Sequence, residues 1–274
     1  MKSLLAALSF VALAAAAAVA GPVRPVVVEV YTAQGCNTCQ ASNAMAAKLA
    51  QKPGVLVLSL PVTYWDMFGW KDTLANEDNT RRQKAYAAAL RRGGVYTPQM
   101  IIDGVRDVPA TRADAVGYAL EMALMARDEG APAEAGPAMV RREGPLVAVA
   151  ATRVRNSGSN TWSVGVNLSK MPEGLRVAVD RAPERRRLDA TVWLFRVKTN
   201  ATVRITGGES AGQTVAYKNV VTGIQNLGNW HGDAHAFAVP SPAGKVAPYD
   251  AVAVVVQQGG FGRVVGSSLQ PITY

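Results

Sequence analysis

Apolar and polar positions change rhythm about halfway along the chain. In the first half, short apolar runs alternate with stretches of helical period. Residues 26–31 are dense in β-branched side chains and read as a strand, with Glu29 the one charged position in it. Residues 39–51 follow as a helix, with Met45 and Leu49 among alanines, stopped by Lys52-Pro53-Gly54. Residues 55–60 form a fully apolar strand closed by Pro61. Residues 79–92 are helical, with Arg91-Arg92 suited to a C-terminus and Gly93-Gly94 beyond it. A short strand over 100–102 turns through Asp103-Gly104 into a second over 105–108. A helix over 112–127 completes the order β-α-β-α-β-β-α.

Residues 129–137 shift to Glu, Gly, Ala and Pro and read as a linker. Beyond them helical periodicity ends. Short runs at 146–154, 162–168, 191–197, 202–206, 214–221, 236–239, 251–257 and 262–266 are mostly rich in Val and Thr, with Gly, Pro, Asn or Asp between them. That spacing predicts an antiparallel β-sandwich or barrel over residues 138–274. The first twenty residues stand outside both halves. Lys2, an apolar stretch and Ala18-Val19-Ala20 have the form of an export signal with a small-x-small cleavage site. No later run of about 18 apolar residues occurs, so the expected product is periplasmic or secreted, with no membrane span.

The 274 residues carry a formal charge of +9, which becomes +8 once Lys2 is removed with the signal. The arginines are scattered rather than striped, which argues against nucleic acid as a partner. Their densest group, Arg181 with Arg185-Arg186-Arg187, sits in proline-containing loop sequence and reads as solvated surface.

Chemistry enters with the only two cysteines, in Gly35-Cys36-Asn37-Thr38-Cys39 at a strand-to-helix junction. A disulfide between such near neighbours closes a loop worth about 2 kcal/mol by chain entropy, against about 4.7 for a 100-residue loop. Stability is a weak reason for the pair, and a thiol–disulfide redox centre is the stronger reading. Soft-metal binding, to Cu(I) or Zn(II), is the alternative from another class. The two histidines, His231 and His235, read as a surface pair in a loop. No Gly-rich phosphate loop, His-Glu-x-x-His or Gly-x-Ser-x-Gly pattern is present, and no cofactor is implied.

The β-α-β-α-β-β-α order, with Cys-x-x-Cys after the first strand and Thr97-Pro98 before the third, resembles the thioredoxin fold. Tyr64-Trp65-Asp66, Gly69-Trp70-Lys71-Asp72, Val95-Tyr96-Thr97-Pro98-Gln99-Met100, Gly208-Glu-Ser-Ala-Gly212 and Tyr217-Lys-Asn-Val-Val221 narrow this. Together they resemble an exported bacterial thioredoxin-like family known only as a domain of unknown function. The resemblance implies an α/β thioredoxin-like domain over 22–128, followed by the β-rich domain. It also implies Cys36 as the attacking thiol, favoured as thiolate near a helix N-terminus, and Cys39 as the resolving thiol. Pro98 would be cis, presenting Thr97 to substrate. Glu29, in the place of a buried acid that accepts the inner thiol's proton, lies one residue further from the first cysteine than is usual; as an alternative it pairs with an arginine or faces solvent. Tyr64, Trp65, Asp66 and Trp70 lie in an insertion after the second strand, either a recognition lip or a plug at the domain junction. The expected partners are thiols or disulfides of other exported proteins. Gly35 and Asn37-Thr38 match neither reductant nor oxidant patterns, so the direction of exchange is not set.

Overall fold

The computed structural model describes residues 24–128, 166–171, 174–182, 189–240 and 248–272. The signal segment 1–20, the linker 129–137, the run 146–154, most of the run 162–168 and Arg185-Arg186-Arg187 lie outside the described residues. Strand β1 (Val26–Thr32) leads through the cysteine loop into helix α1 (Cys39–Leu49) and strand β2 (Val55–Pro61). A 3-10 turn over Thr63–Phe68 precedes helix α2 (Glu77–Ala89), the hairpin β3 (Gln99–Ile102) and β4 (Arg106–Pro109), and helix α3 (Ala113–Asp128). The order expected for the first half is thus observed. Helix α2 starts earlier than its apolar pattern suggests because Asn76 caps it, its side-chain oxygen accepting the Asn79 N–H at 3.0 Å.

The second half supplies β5 (Val166–Met171), β6 (Gly174–Val179), β7 (Ala190–Arg204), β8 (Thr214–Trp230), β9 (His235–Pro240), β10 (Ala251–Gln258) and β11 (Val264–Pro271). Both halves join one mixed eight-stranded sheet in the order β11-β10-β7-β8-β2-β1-β3-β4, while β5-β6-β9 form a separate three-stranded sheet. The seam is narrow. Strand β8 lies parallel to β2 at Ser59↔Val220, reinforced by the Ser59 hydroxyl donating to the Lys218 carbonyl at 2.8 Å. Asn219 adds a bond from its side-chain N–H to the Val57 carbonyl at 2.9 Å. The β-rich region is therefore continuous by hydrogen bonding with the sheet of the first half.

Residues 191–197 and 202–204, expected in two separate strands, lie in one 15-residue strand, and β8 runs nine residues past its expected end. Register shifts between Val192/Trp193 and Arg196/Val197 leave Leu227 and Thr222 as extra residues on β8. Gly223 and Gly228, the latter at φ +126°, border these bulges.

Alternation along β1 sorts the layers. Val26, Val28 and Val30 share a core with Ala46, Leu49, Val116 and Leu120 of α1 and α3. Val27 and Tyr31 face the other way, into a core with Tyr86 of α2, Phe195 of β7 and both cysteines. The opposite face of β7 and β10 packs on the three-stranded sheet through Val192, Leu194, Val252 and Val254 against Val177 and Val179. Among the described residues no helix is long and apolar enough to cross a membrane.

Candidate functional site

Strands β1 and β2 run parallel, so their C-terminal ends open on one edge, where α/β sheets place ligands. Three segments meet there. The cysteine loop leaves β1 at Thr32. The segment after β2 follows Thr32↔Pro61, and the Tyr31↔Gln99 register brings Pro98 level with Thr32.

Cys36 and Cys39 form a disulfide, with Cα atoms 5.4 Å apart. Cys39 is the first residue of α1, and its N–H donates to the Cys36 carbonyl at 3.2 Å, so Cys36 stands just ahead of the helix. Sγ of Cys36 lies 3.4 Å from the Thr38 hydroxyl. Asn37 and Thr38 are exposed, yet both cysteines have 0% of their surface accessible. The cysteines belong to one apolar cluster that also holds Leu60, Val62 and Tyr86, with Tyr64 and Trp65 packed at its margin.

The Thr97-Pro98 bond is cis. The Trp65 indole N–H donates to the Thr97 hydroxyl, and the Pro98 carbonyl accepts the Ala110 N–H at 3.0 Å. Tyr64 donates to Gln83 at 3.1 Å, and the Gln83 amide donates to the Tyr96 carbonyl and to Gln99, both at 2.8 Å. Burial raises the Tyr64 phenol above its ordinary range, against the opposing hydrogen bonds of Thr97 and Gln83.

Asp66 and Trp70 are placed differently. The Asp66 carboxylate accepts the Asp72 N–H at 3.0 Å, closing the segment on itself. Trp70 donates to the side-chain oxygen of Gln34 at 2.8 Å. Asp72 accepts the N–H groups of Gln34 (2.7 Å), Leu74 (2.8 Å) and Ala75 (3.0 Å). Its carboxyl is nonetheless raised, because burial outweighs those three donors. Gln34 and Asp72 thus anchor the cysteine loop. Only the tryptophan-and-aspartate motif hinted at this from sequence, since a glutamine in a loop carries no pattern.

Glu29 is buried on the α2 face and takes four hydrogen bonds. Arg82 gives two, Nε at 2.6 Å and Nη2 at 2.7 Å; Tyr86 gives one at 2.7 Å and Tyr31 one at 3.0 Å. Gln257 of β10 accepts from Arg82 at 3.0 Å and donates to Tyr86 at 2.7 Å. The guanidinium carbon also lies 4.9–5.4 Å from the ring centres of Phe195, Trp193, Tyr86 and Phe261. Burial acts against the Arg82 charge, but Glu29 overcomes it and holds the guanidinium protonated above its ordinary range. Burial, and then Glu29, push Tyr31 and Tyr86 well above the usual phenol range. Of the environments open to Glu29 in the sequence, the structure shows a buried acid paired with an arginine. Tyr86, which donates to Glu29, belongs to the same apolar cluster as both cysteines.

His231 and His235 are exposed, and His235 stacks edge-on to Phe237 at 4.6 Å. Among the described residues no group of three or more His, Cys, Asp or Glu is arranged to hold a metal ion.

With a buried Cys-x-x-Cys disulfide on the edge of a mixed sheet and a β-rich second half, the chain belongs to a family described as protein of unknown function (DUF1223). The family matches residues 27–156 and 138–257. The chain is similar to protein AGR_C_4864 from Agrobacterium tumefaciens, seen in a crystal structure. Identity is 25% and the TM-score 0.66, over 93% of this chain and 100% of the other. HBP35 of Porphyromonas gingivalis shares the fold at 11% identity and a TM-score of 0.54, over 91% of this chain and 75% of that one. No protein of curated function matches the sequence.

Proposed function

We propose that this chain is an exported thiol–disulfide exchange protein built on a thioredoxin-like unit, with another exported protein as its partner. The observation that carries the reading is the Cys36–Cys39 disulfide at the β1–α1 junction, on the sheet edge that also holds Thr97-Pro98 and Trp65. The order β2-β1-β3-β4, with β2 parallel and β3 antiparallel to β1, supports the thioredoxin-like assignment. The signal-like first twenty residues support export.

Starting from the disulfide, a partner thiolate attacks Sγ of Cys36. A new S–S bond forms to the partner, and the Cys36–Cys39 bond breaks. Cys39 leaves with the electron pair as thiolate and takes up a proton. A second partner thiol, having lost its proton, attacks the mixed disulfide and releases Cys36 as thiolate, so two electrons pass from partner to protein. The reverse sequence starts from the dithiol, with Cys36 attacking and Cys39 resolving. Cys39 suits the resolving role because it faces inward in the first turn of α1, while Cys36 adjoins exposed Asn37 and Thr38.

The test is a pair of substitutions assayed on a reducible protein disulfide. Cys36→Ser abolishes exchange, and Cys39→Ser accumulates a mixed disulfide visible on a non-reducing gel. Equal residual activity in the two variants refutes the assignment.

A further inference from the structure

The turn between β7 and β8 sits on the cysteine loop. A Cβ on Gly207 would stand 2.7 Å from the Gly69 carbonyl oxygen. One on Gly208 would stand 3.2 Å from the Phe68 carbonyl oxygen and from Cβ of Trp70, and 3.6 Å from Cα of Gly35, the residue before Cys36. Glycines allow this approach, and side chains fasten it. The Gln40 amide donates to the Ser210 hydroxyl at 3.1 Å and to the Gln34 carbonyl at 3.5 Å. Ser210 is fully buried, and the turn closes on itself through Ile205 N–H to the Gln213 carbonyl at 2.9 Å. Thiol–disulfide exchange depends on access to a sulfur, and here neither cysteine exposes any surface.

We infer that the β7–β8 turn, residues 205–213, is the access-determining element of the dithiol: it excludes small thiols such as glutathione and yields only to a protein partner that displaces it. The feature that selects a protein stands beside the turn. Met67 and Phe68 are 77% and 52% exposed, an apolar surface that a partner segment covers and glutathione does not. The inference rests on the reading of Cys36–Cys39 as an exchange centre. The two fail differently, because a cover sets the rate of exchange and leaves the equilibrium potential unchanged.

The test measures reduction of the oxidised, signal-free protein by tris(2-carboxyethyl)phosphine and by glutathione, followed by alkylation and mass spectrometry. The phosphine gives two electrons to the S–S bond and takes one oxygen from water as two thiols form. The native protein reacts at least about a hundredfold more slowly than the urea-unfolded chain, since reaction waits on local opening. Gly207→Val, whose side chain does not fit beside Gly69, raises the native rate at least about tenfold. Gln40→Ala and Ser210→Ala cut the tether without adding bulk and raise it severalfold; they carry the test if Gly207→Val does not fold. A native rate equal to the unfolded one, or folded tether variants with wild-type rates, overturns the cover even where the potential is that of an exchange protein. A slow native rate that the variants release, with a potential outside the exchange range, keeps the cover and overturns the exchange reading.

Discussion

Replacing Arg82 with Met removes the charge that Glu29 is paired with and leaves a carboxylate in the core between α2 and the sheet. Arg82 and Glu29 side chains are 3% and 1% exposed, so screening by solvent is absent. Breaking a buried pair by removing one partner costs about 3–5 kcal/mol, because the survivor is left without its counter-charge. The hydroxyls of Tyr31 and Tyr86 still donate to Glu29 and set the lower end of that range. The lost contacts with four aromatic rings push toward the upper end. For a chain of this size, 3–5 kcal/mol lowers the melting temperature by roughly 6–20 °C. Glu29→Gln alone is also destabilising, since it strands the guanidinium. The double variant Glu29→Gln/Arg82→Met loses less than the sum, with a coupling energy of about 1–3 kcal/mol. Urea unfolding of all four proteins closes the cycle. An Arg82→Met variant within about 1 kcal/mol of wild type, or strictly additive single effects, refutes the reasoning.

Two further outcomes follow from the same core. Gly104 has φ +78° and a Cβ there would stand 2.1 Å from the Gly262 carbonyl oxygen, so Gly104→Ala costs about 2–5 kcal/mol. An unfolding free energy from urea titration within about 0.5 kcal/mol of wild type contradicts that packing. Tyr31 and Tyr86 are held protonated in the fold by burial and by Glu29, while in the unfolded chain they ionise near pH 10. The stability this represents is fully present below about pH 10 and is lost as pH rises above it, because only the unfolded chain releases those protons there. Tyrosinate absorbance from these two therefore grows in together with loss of circular dichroism, and Tyr31→Phe/Tyr86→Phe removes that component. Early, reversible ionisation of both in the folded protein contradicts their environment.

What could be read from the sequence divides along physical lines. The cysteine pair, the helices of the first half and the Asp103-Gly104 turn rest on local chemistry and are found in the expected order, α2 shifted toward its Asn76 cap; Asp103 and Gly104 both have positive φ. The length of β7 was hidden by Lys198-Thr199-Asn200, which reads as a turn. In the fold Asp250, 51 residues away, accepts the Thr199 N–H at 2.7 Å and its hydroxyl at 2.9 Å, and the strand continues. Pairing across large separations was also invisible. Glu29 finds Arg82 53 residues on, and Gln40 finds Ser210 170 residues on. Glu29 in an apolar strand announces that something must neutralise it, but periodicity does not say what. For the same reason the contact between the β7–β8 turn and the cysteine loop had no local signal beyond the glycines of residues 207–212.

The proposed exchange function turns on the Cys36–Cys39 pair, whose reduction potential tests it most directly. The protein without its signal is equilibrated with glutathione buffers from both the oxidised and the reduced side until the two agree, so that slow access does not bias the value. An exchange centre lies between about −120 and −270 mV. A potential below about −300 mV marks a disulfide that resists the glutathione pool and contradicts the proposed exchange function.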